Sequence, residues 1–211
     1  MKRPRVLITG FGPFPGAPVN PTEALVRRLG TERGNLSAFC DIRTAVLPVE
    51  YAAVPDLLAE LGRHHSPDIA IHFGLSAEAE GFTLERLARN EIAAGKPDNA
   101  GGQPGSSRIV EGGQGRPASL PLGEISARLE EAGLPWSWSD DAGGYLCNYV
   151  FYLSCSPHFT GLSAPMSGFV HVPLLAGEGA NALSANAMPL DDMITGARLI
   201  VETCVIAWRR L

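Results

Sequence analysis

Three residues of this chain have the types and settings to break an acyl bond together. Cys147 follows a glycine pair in Gly143-Gly144-Tyr145-Leu146-Cys147-Asn148, at what reads as the start of a helix. A helix N-terminus carries partial positive charge, which favours the thiolate, and the thiolate is the reactive form of cysteine. His171 lies near the end of the apolar run Gly168-Phe169-Val170-His171-Val172, and Pro173 stops that run. An imidazole at the end of a strand is placed to take a thiol proton if a third group fixes its tautomer. Glu85, between Leu84 and Leu87, is a carboxylate in a buried-looking segment and so needs a partner. Cys147, His171 and Glu85 together describe nucleophilic acyl transfer. The competing reading of an unpaired cysteine is a small packed hydrophobe, and it is kept for Cys40, Cys155 and Cys204.

The other histidines read differently. His64 and His65 close a helix on its solvent side, and His158 follows Pro157 in a loop. His72 sits in the middle of a buried strand and reads as a core histidine with its ring nitrogens satisfied. No cysteines form a C-x-x-C pair and their spacings fit no zinc site, so no metal and no cofactor is expected.

The elements that must hold these groups alternate between strand and helix. Arg5–Phe11 is a short β-branched run ending in glycine and aromatic residues, and it reads as a buried strand. Asn20-Pro21-Thr22-Glu23 is a helix start, with asparagine as cap and proline in the first turn. Further strands are expected at 41–46, 68–73, 82–92 and 167–172, and helices at 51–64, 122–134, 145–154 and 190–211. The stretch 93–107, with its proline and glycines, must be a long loop, a length usually reserved for function. This alternation predicts an α/β fold. It is a single domain over residues 1–211, an open, twisted, mostly parallel sheet flanked by helices as an α/β/α sandwich. In such folds sites lie beyond the carboxyl ends of the strands, where the loops after Phe11, Phe73 and Val172 should converge.

Composition narrows the function classes. Hydrophobic residues make up 45% of the 211 residues and charged residues 18%, enough for a buried core and too little charge for disorder. A formal net charge of -5 and the absence of a basic run argue against nucleic acid as partner. The apolar run Val6–Thr9 is too short for a signal peptide, and no stretch approaches the roughly 20 residues of a membrane span, so a cytoplasmic protein without a membrane partner is expected. The loop Gly10-Phe11-Gly12-Pro13-Phe14-Pro15-Gly16 has the look of a phosphate cradle, but Pro13 and Pro15 lack the N–H groups a cradle needs. Its two rings, Phe11 and Phe14, either pack into the core or form a flat apolar slot for a small planar ligand.

The segments TGFGPFPGAPVNP, TLERLARN, KPDNAGGQP, GGYLCNYVFY and GFVHVP occur in that order, and together they resemble the pyroglutamyl peptidase I family of cysteine peptidases. The resemblance runs from about Val6 to Pro173 and rests on several motifs in register. It implies a triad of Glu85, Cys147 and His171 acting on peptides with an N-terminal pyroglutamate. It also implies an aromatic slot at Phe11 and Phe14, with Asn20, Leu75, Tyr145 and Leu146 as further substrate-binding positions. A homo-oligomer, commonly a tetramer, is implied as well. The sequence departs from the family pattern at Leu75, where glutamine is usual, and at Gly95-Lys96, where an arginine is usual. It departs again at Gly144-Tyr145-Leu146, where Thr-Phe-Val usually stands. These departures keep two alternatives open: an amidase of the same fold acting on another N-terminal cap, and a binder without catalysis.

Overall fold

The computed structural model describes residues 3–31, 36–177 and 186–211. Arg5–Phe11 (β1) lies against Asp41–Leu47 (β2) on one side and Ile69–Leu75 (β3) on the other, all parallel. Met166–Val172 (β8) continues the parallel run beside β3. Phe82–Glu85 (β4) pairs with β8 in the antiparallel sense, and Trp136–Ser139 (β7) lies parallel to β4 at the sheet edge. The order across the sheet is β2-β1-β3-β8-β4-β7. Leu87–Ala88 (β5) and Arg116–Pro117 (β6) form a separate two-stranded ribbon.

Alternation of side chains sorts the strands onto two cores. Val6, Ile8, Ile69, Ile71, Phe73, Phe82, Leu84, Val170 and Val172 pack against Pro21–Thr31 (α1), Leu122–Glu131 (α4) and Leu190–Trp208 (α6), with the short Leu36–Phe39 (α2) beside them. Leu7, Phe11, Ala70 and Phe169 pack on the opposite face against Ala53–His65 (α3) and Leu146–Cys155 (α5). The α/β/α sandwich expected from the sequence is the architecture found. Glu85, His72 and His171 fall on the strand positions between those apolar ones, so the two-residue period turns all three toward the α3–α5 layer.

Several elements differ from expectation, the unanticipated α2 and β6 among them. The stretch 82–92 is not one strand. The chain leaves β8 at Glu85, and Arg86 crosses over, its N–H donating to the Ser139 carbonyl and its own carbonyl accepting from Ala118 N–H. β5 then pairs with β6. β7 was not anticipated, and α4 ends at Glu131, short of Leu134, because Gly133 takes a positive φ of 69° just beyond the helix. The stretch 93–107 is a loop, as expected. Asp98 folds it by accepting hydrogen bonds from the N–H groups of Tyr51 (2.8 Å), Ala100 (3.0 Å) and Gly102 (2.7 Å). Asn99 ties it to the first loop by donating to the Pro13 carbonyl at 2.9 Å.

Candidate active site

Cys147 is the second residue of α5, whose cap, Tyr145, is extended and makes no side-chain capping bond. The first-turn N–H groups of that helix therefore remain free to meet negative charge. Two glycines admit the turn that delivers the thiol. Gly143 has φ 77°, and a Cβ on Gly144 would lie 2.6 Å from that of Ala93. A third glycine makes room for the sulfur itself. Gly74, paired with His171 across β3 and β8, would put a Cβ 2.8 Å from Cys147 Sγ. Asn148, fully buried, anchors the same turn from behind. It accepts from Arg89 N–H at 2.9 Å and donates to the carbonyls of Arg89 (2.8 Å) and Glu91 (2.9 Å).

His171 stands between Cys147 and Glu85. Its Nδ1 is 2.7 Å from Glu85 Oε1, and both side chains are buried. A carboxylate only accepts, so Nδ1 carries the proton and Nε2 is left for the thiol. Burial, the largest single influence on this imidazole, lowers its proton affinity. Hydrogen bonds to Cys147 and Glu85, with the negative charge of both, more than reverse that and raise its pKa to about 9. The imidazolium is thus the favoured form at neutral pH, the partner a thiolate needs. The other thiols lack such a partner. Burial raises Cys40 to about 11 and Cys155 to about 12, and it raises Cys204 further still.

Cys147, His171 and Glu85 line one cavity of about 900 Å³ together with Phe11, Phe14, Leu75, Tyr145 and Leu146. Eight of the nine site residues named from the sequence therefore come together. Asn20 departs from the expected contact. It is buried away from the cavity, its amide donating to the Gly12 carbonyl at 3.0 Å and its Oδ1 accepting from Thr22 N–H at 3.1 Å. It caps α1 and holds the foot of the Phe11–Phe14 loop. Phe14, Tyr51 and Tyr145 form a ring cluster, with Tyr145 to Phe14 at 6.5 Å and Tyr145 to Tyr51 at 5.8 Å. Tyr145 also donates to the Pro97 carbonyl at 3.0 Å and lies 4.3 Å under Lys96 Nζ. Tyr145, one of the residues at which the sequence departs from the family pattern, therefore seals the long loop against the cavity. His64 and His158 are exposed, as their positions suggested. Among the described residues no three His, Cys, Asp or Glu side chains gather to hold a metal ion.

Sequence reasoning did not find Gly74, which makes room for the sulfur, or the hydroxyls of Thr83, Ser137 and Ser139, which line the cavity. A glycine that admits a sulfur leaves no trace in hydropathy. Ser137 and Ser139 could only be placed once β7 was known.

The pyroglutamyl peptidase family profile matches residues 4–207. The chain belongs to that family. It is 38% identical over 187 residues to the pyrrolidone-carboxylate peptidase of Pyrococcus furiosus, covering 88% of each chain. It is 38% identical over 202 residues to pyrrolidone-carboxylate peptidase 1 of Ralstonia nicotianae, covering 95% of this chain and 92% of the relative. A solved structure of a mutant pyrrolidone carboxyl peptidase from Pyrococcus furiosus superposes with a TM-score of 0.85 at 32% identity. That match covers 96% of this chain and 99% of the other. Pyroglutamyl peptidases of this family are cysteine peptidases, and among the described residues no helix is long and apolar enough to cross a membrane.

Proposed function

We propose that this protein removes an N-terminal pyroglutamyl residue from peptides by acyl transfer through Cys147. The observation that carries the reading is His171, held by buried Glu85 and lining, together with Cys147, one cavity that also presents Phe11 and Phe14. Cys147 Sγ attacks the carbonyl that joins pyroglutamate to the next residue. The tetrahedral oxyanion is met by N–H groups of the first turn of α5, that of Cys147 included. His171 gives its proton to the leaving amine as the C–N bond breaks, which leaves a thioester. It then takes a proton from water, whose oxygen attacks the thioester and releases pyroglutamate. Glu85 keeps Nδ1 protonated throughout and stabilises the charged ring. Phe11 and Phe14 hold the flat lactam, and Tyr145 and Leu146 close its far side. Leu75 supplies an apolar wall where its side chain has no hydrogen bond to give, so backbone groups pair the lactam amide. Asn20 acts at one remove, through the loop that carries the two rings. The working form is a cytoplasmic homo-oligomer, a tetramer, which light scattering of the purified protein tests.

Leu75 and Tyr145 in the lining favour one second reading, a different small N-terminal cap as the preferred acyl group. A panel of N-capped aminoacyl amides separates the two, since the first requires the pyroglutamyl compound to be turned over fastest. The deciding experiment measures release of an aromatic amine from a pyroglutamyl amide. Cys147→Ala should bring the rate below detection, while Cys155→Ala, which alters an inert thiol on the same helix, should leave it within about twofold. Equal rates in the two variants would sink the assignment.

A further inference from the structure

The cavity is longer than a lactam requires. Beyond His171 it continues along β4 and β7, where the two-residue period sets Thr83 and Glu85 beside Ser137 and Ser139 on one face. Thr83 Oγ1 and Ser137 Oγ are 3.3 Å apart. Glu85, only 1% exposed, has a second oxygen, Oε2, with no hydrogen-bond partner among the described residues, so the floor keeps an unused buried acceptor. The lining also includes the loop from Ser76 to Gly81, seated by a hydrogen bond of 3.0 Å from Ser76 N–H to the Val172 carbonyl. It presents exposed Glu78 and Glu80. Asp141, a third carboxylate of the lining, is engaged by Arg89 at 2.7 Å, whereas neither Glu78 nor Glu80 forms an ion pair among the described residues. Lys96, the only lysine or arginine among the described lining residues, lies at the lactam end beside Tyr145.

We propose that this shelf of hydroxyls with an acidic rim is the subsite for the leaving peptide, and that it selects basic side chains in the first two positions after the pyroglutamate. The inference rests on the reaction proposed above. With the acyl carbonyl at Cys147 and the lactam between the rings, the leaving amine must point toward His171, and the chain that follows it has the shelf as its path. Serine and threonine hydroxyls there accept and donate to backbone groups without regard to sequence. Charge at Glu78 and Glu80 then supplies the choice. Both carboxylates are solvent-exposed, so the selection is modest and sensitive to salt.

The test compares pyroglutamyl-Lys and pyroglutamyl-Glu peptides of identical tail, with the pyroglutamyl aromatic amide as reference, in the wild type and in the Glu78→Gln/Glu80→Gln variant. Both substitutions are at exposed loop positions, so folding is not at stake. The lysyl peptide should be favoured about fivefold in kcat/KM at low ionic strength. The ratio should fall below about twofold in the double variant or in about 0.5 M salt, with amide hydrolysis unchanged. Intact amide hydrolysis with no preference in the wild type, or a preference that survives in the variant, would overturn the inference alone. Failure to cleave all three substrates would overturn the reaction itself, and this inference with it.

Discussion

His72 and His171 stand on neighbouring strands, turn toward the same helix layer and are both buried, at 0% and 6% exposure. Their chemistry is opposite. His72 is held by neutral hydroxyls, Thr9 Oγ1 at 2.7 Å from Nδ1 and Ser154 Oγ at 2.8 Å from Nε2, and burial lowers its pKa to about 3. Burial pulls the same way on His171, but a carboxylate and a thiol face its ring, and its pKa rises to about 9. Burial alone therefore says nothing about whether a histidine works. What distinguishes the two is whether the partners can carry negative charge. The stability linkage follows the same division. His171 has a folded value above its ordinary 6.5, so its contribution is fully present below pH 6.5 and is lost as pH rises through about 9. His72 has a folded value below 6.5, so its contribution is present above pH 6.5 and is lost as pH falls toward about 3.

The sharpest way to break this contrast is to remove one ring at a time. His171→Ala should lower kcat/KM for the pyroglutamyl amide by about 10³-fold or more per folded molecule, and it should also lower the melting temperature because Glu85 is left buried without its partner. His72→Asn should lower the melting temperature as well, but its folded fraction should keep its turnover within a few-fold. Similar losses of turnover per folded molecule in both would show that the two rings do not divide the work this way. A smaller effect tests the charge. In the wild type the alkaline limb of kcat/KM should fall near pH 9, where His171 loses its proton. Glu85→Gln removes one of the two negative partners. The limb should then move to lower pH and the maximal rate should drop by about 10²-fold, so a limb that stays in place would separate Glu85 from the titration. The smallest effect lies on the neutral side. Ser154→Ala leaves His72 Nε2 without its partner in the core and should cost about 1–3 kcal/mol of stability by chemical denaturation. Turnover should stay within about twofold, and a marked loss would mean the two histidines are coupled.

Much of this was legible in the sequence because the relevant signals are local. The central strands β1, β3 and β8 are apolar runs that end in glycine or proline, and Asn20-Pro21-Thr22-Glu23 marks the start of α1 by residue types alone. Cys147, His171 and Glu85 could be proposed because a polar group in an apolar run demands a partner, and the parity of the strands puts the last two on one face. What stayed hidden depends on neighbours distant in sequence. β7 is four residues of alternating tryptophan and serine at an edge, with too little apolar character to announce itself. The break at Arg86 follows from a change of strand partner that no local pattern encodes. By sequence Asn148 either helps position Cys147 or simply caps the helix, and only the fold shows it holding the backbone at Arg89 and Glu91. Asn20 read correctly as a cap, while the family resemblance suggested a substrate contact; the structure turns its three side-chain hydrogen bonds to Gly12 and Thr22 and leaves it outside the cavity lining.

The reversal of β4, which β7 shares, has a consequence beyond the sheet. β4 runs against β8 in a register that pairs Thr83 with His171 and Glu85 with Phe169, so Glu85 reaches the imidazole along a diagonal of the ladder. A slip of one residue would turn Leu84 toward the imidazole and send Glu85 into the apolar core against α4 and α6. No intermediate setting is open, because side chains on a strand alternate. Turnover is therefore a digital readout of strand register: any chain that cleaves its substrate at full rate has threaded β4 correctly, and an assay of activity after refolding counts those chains alone.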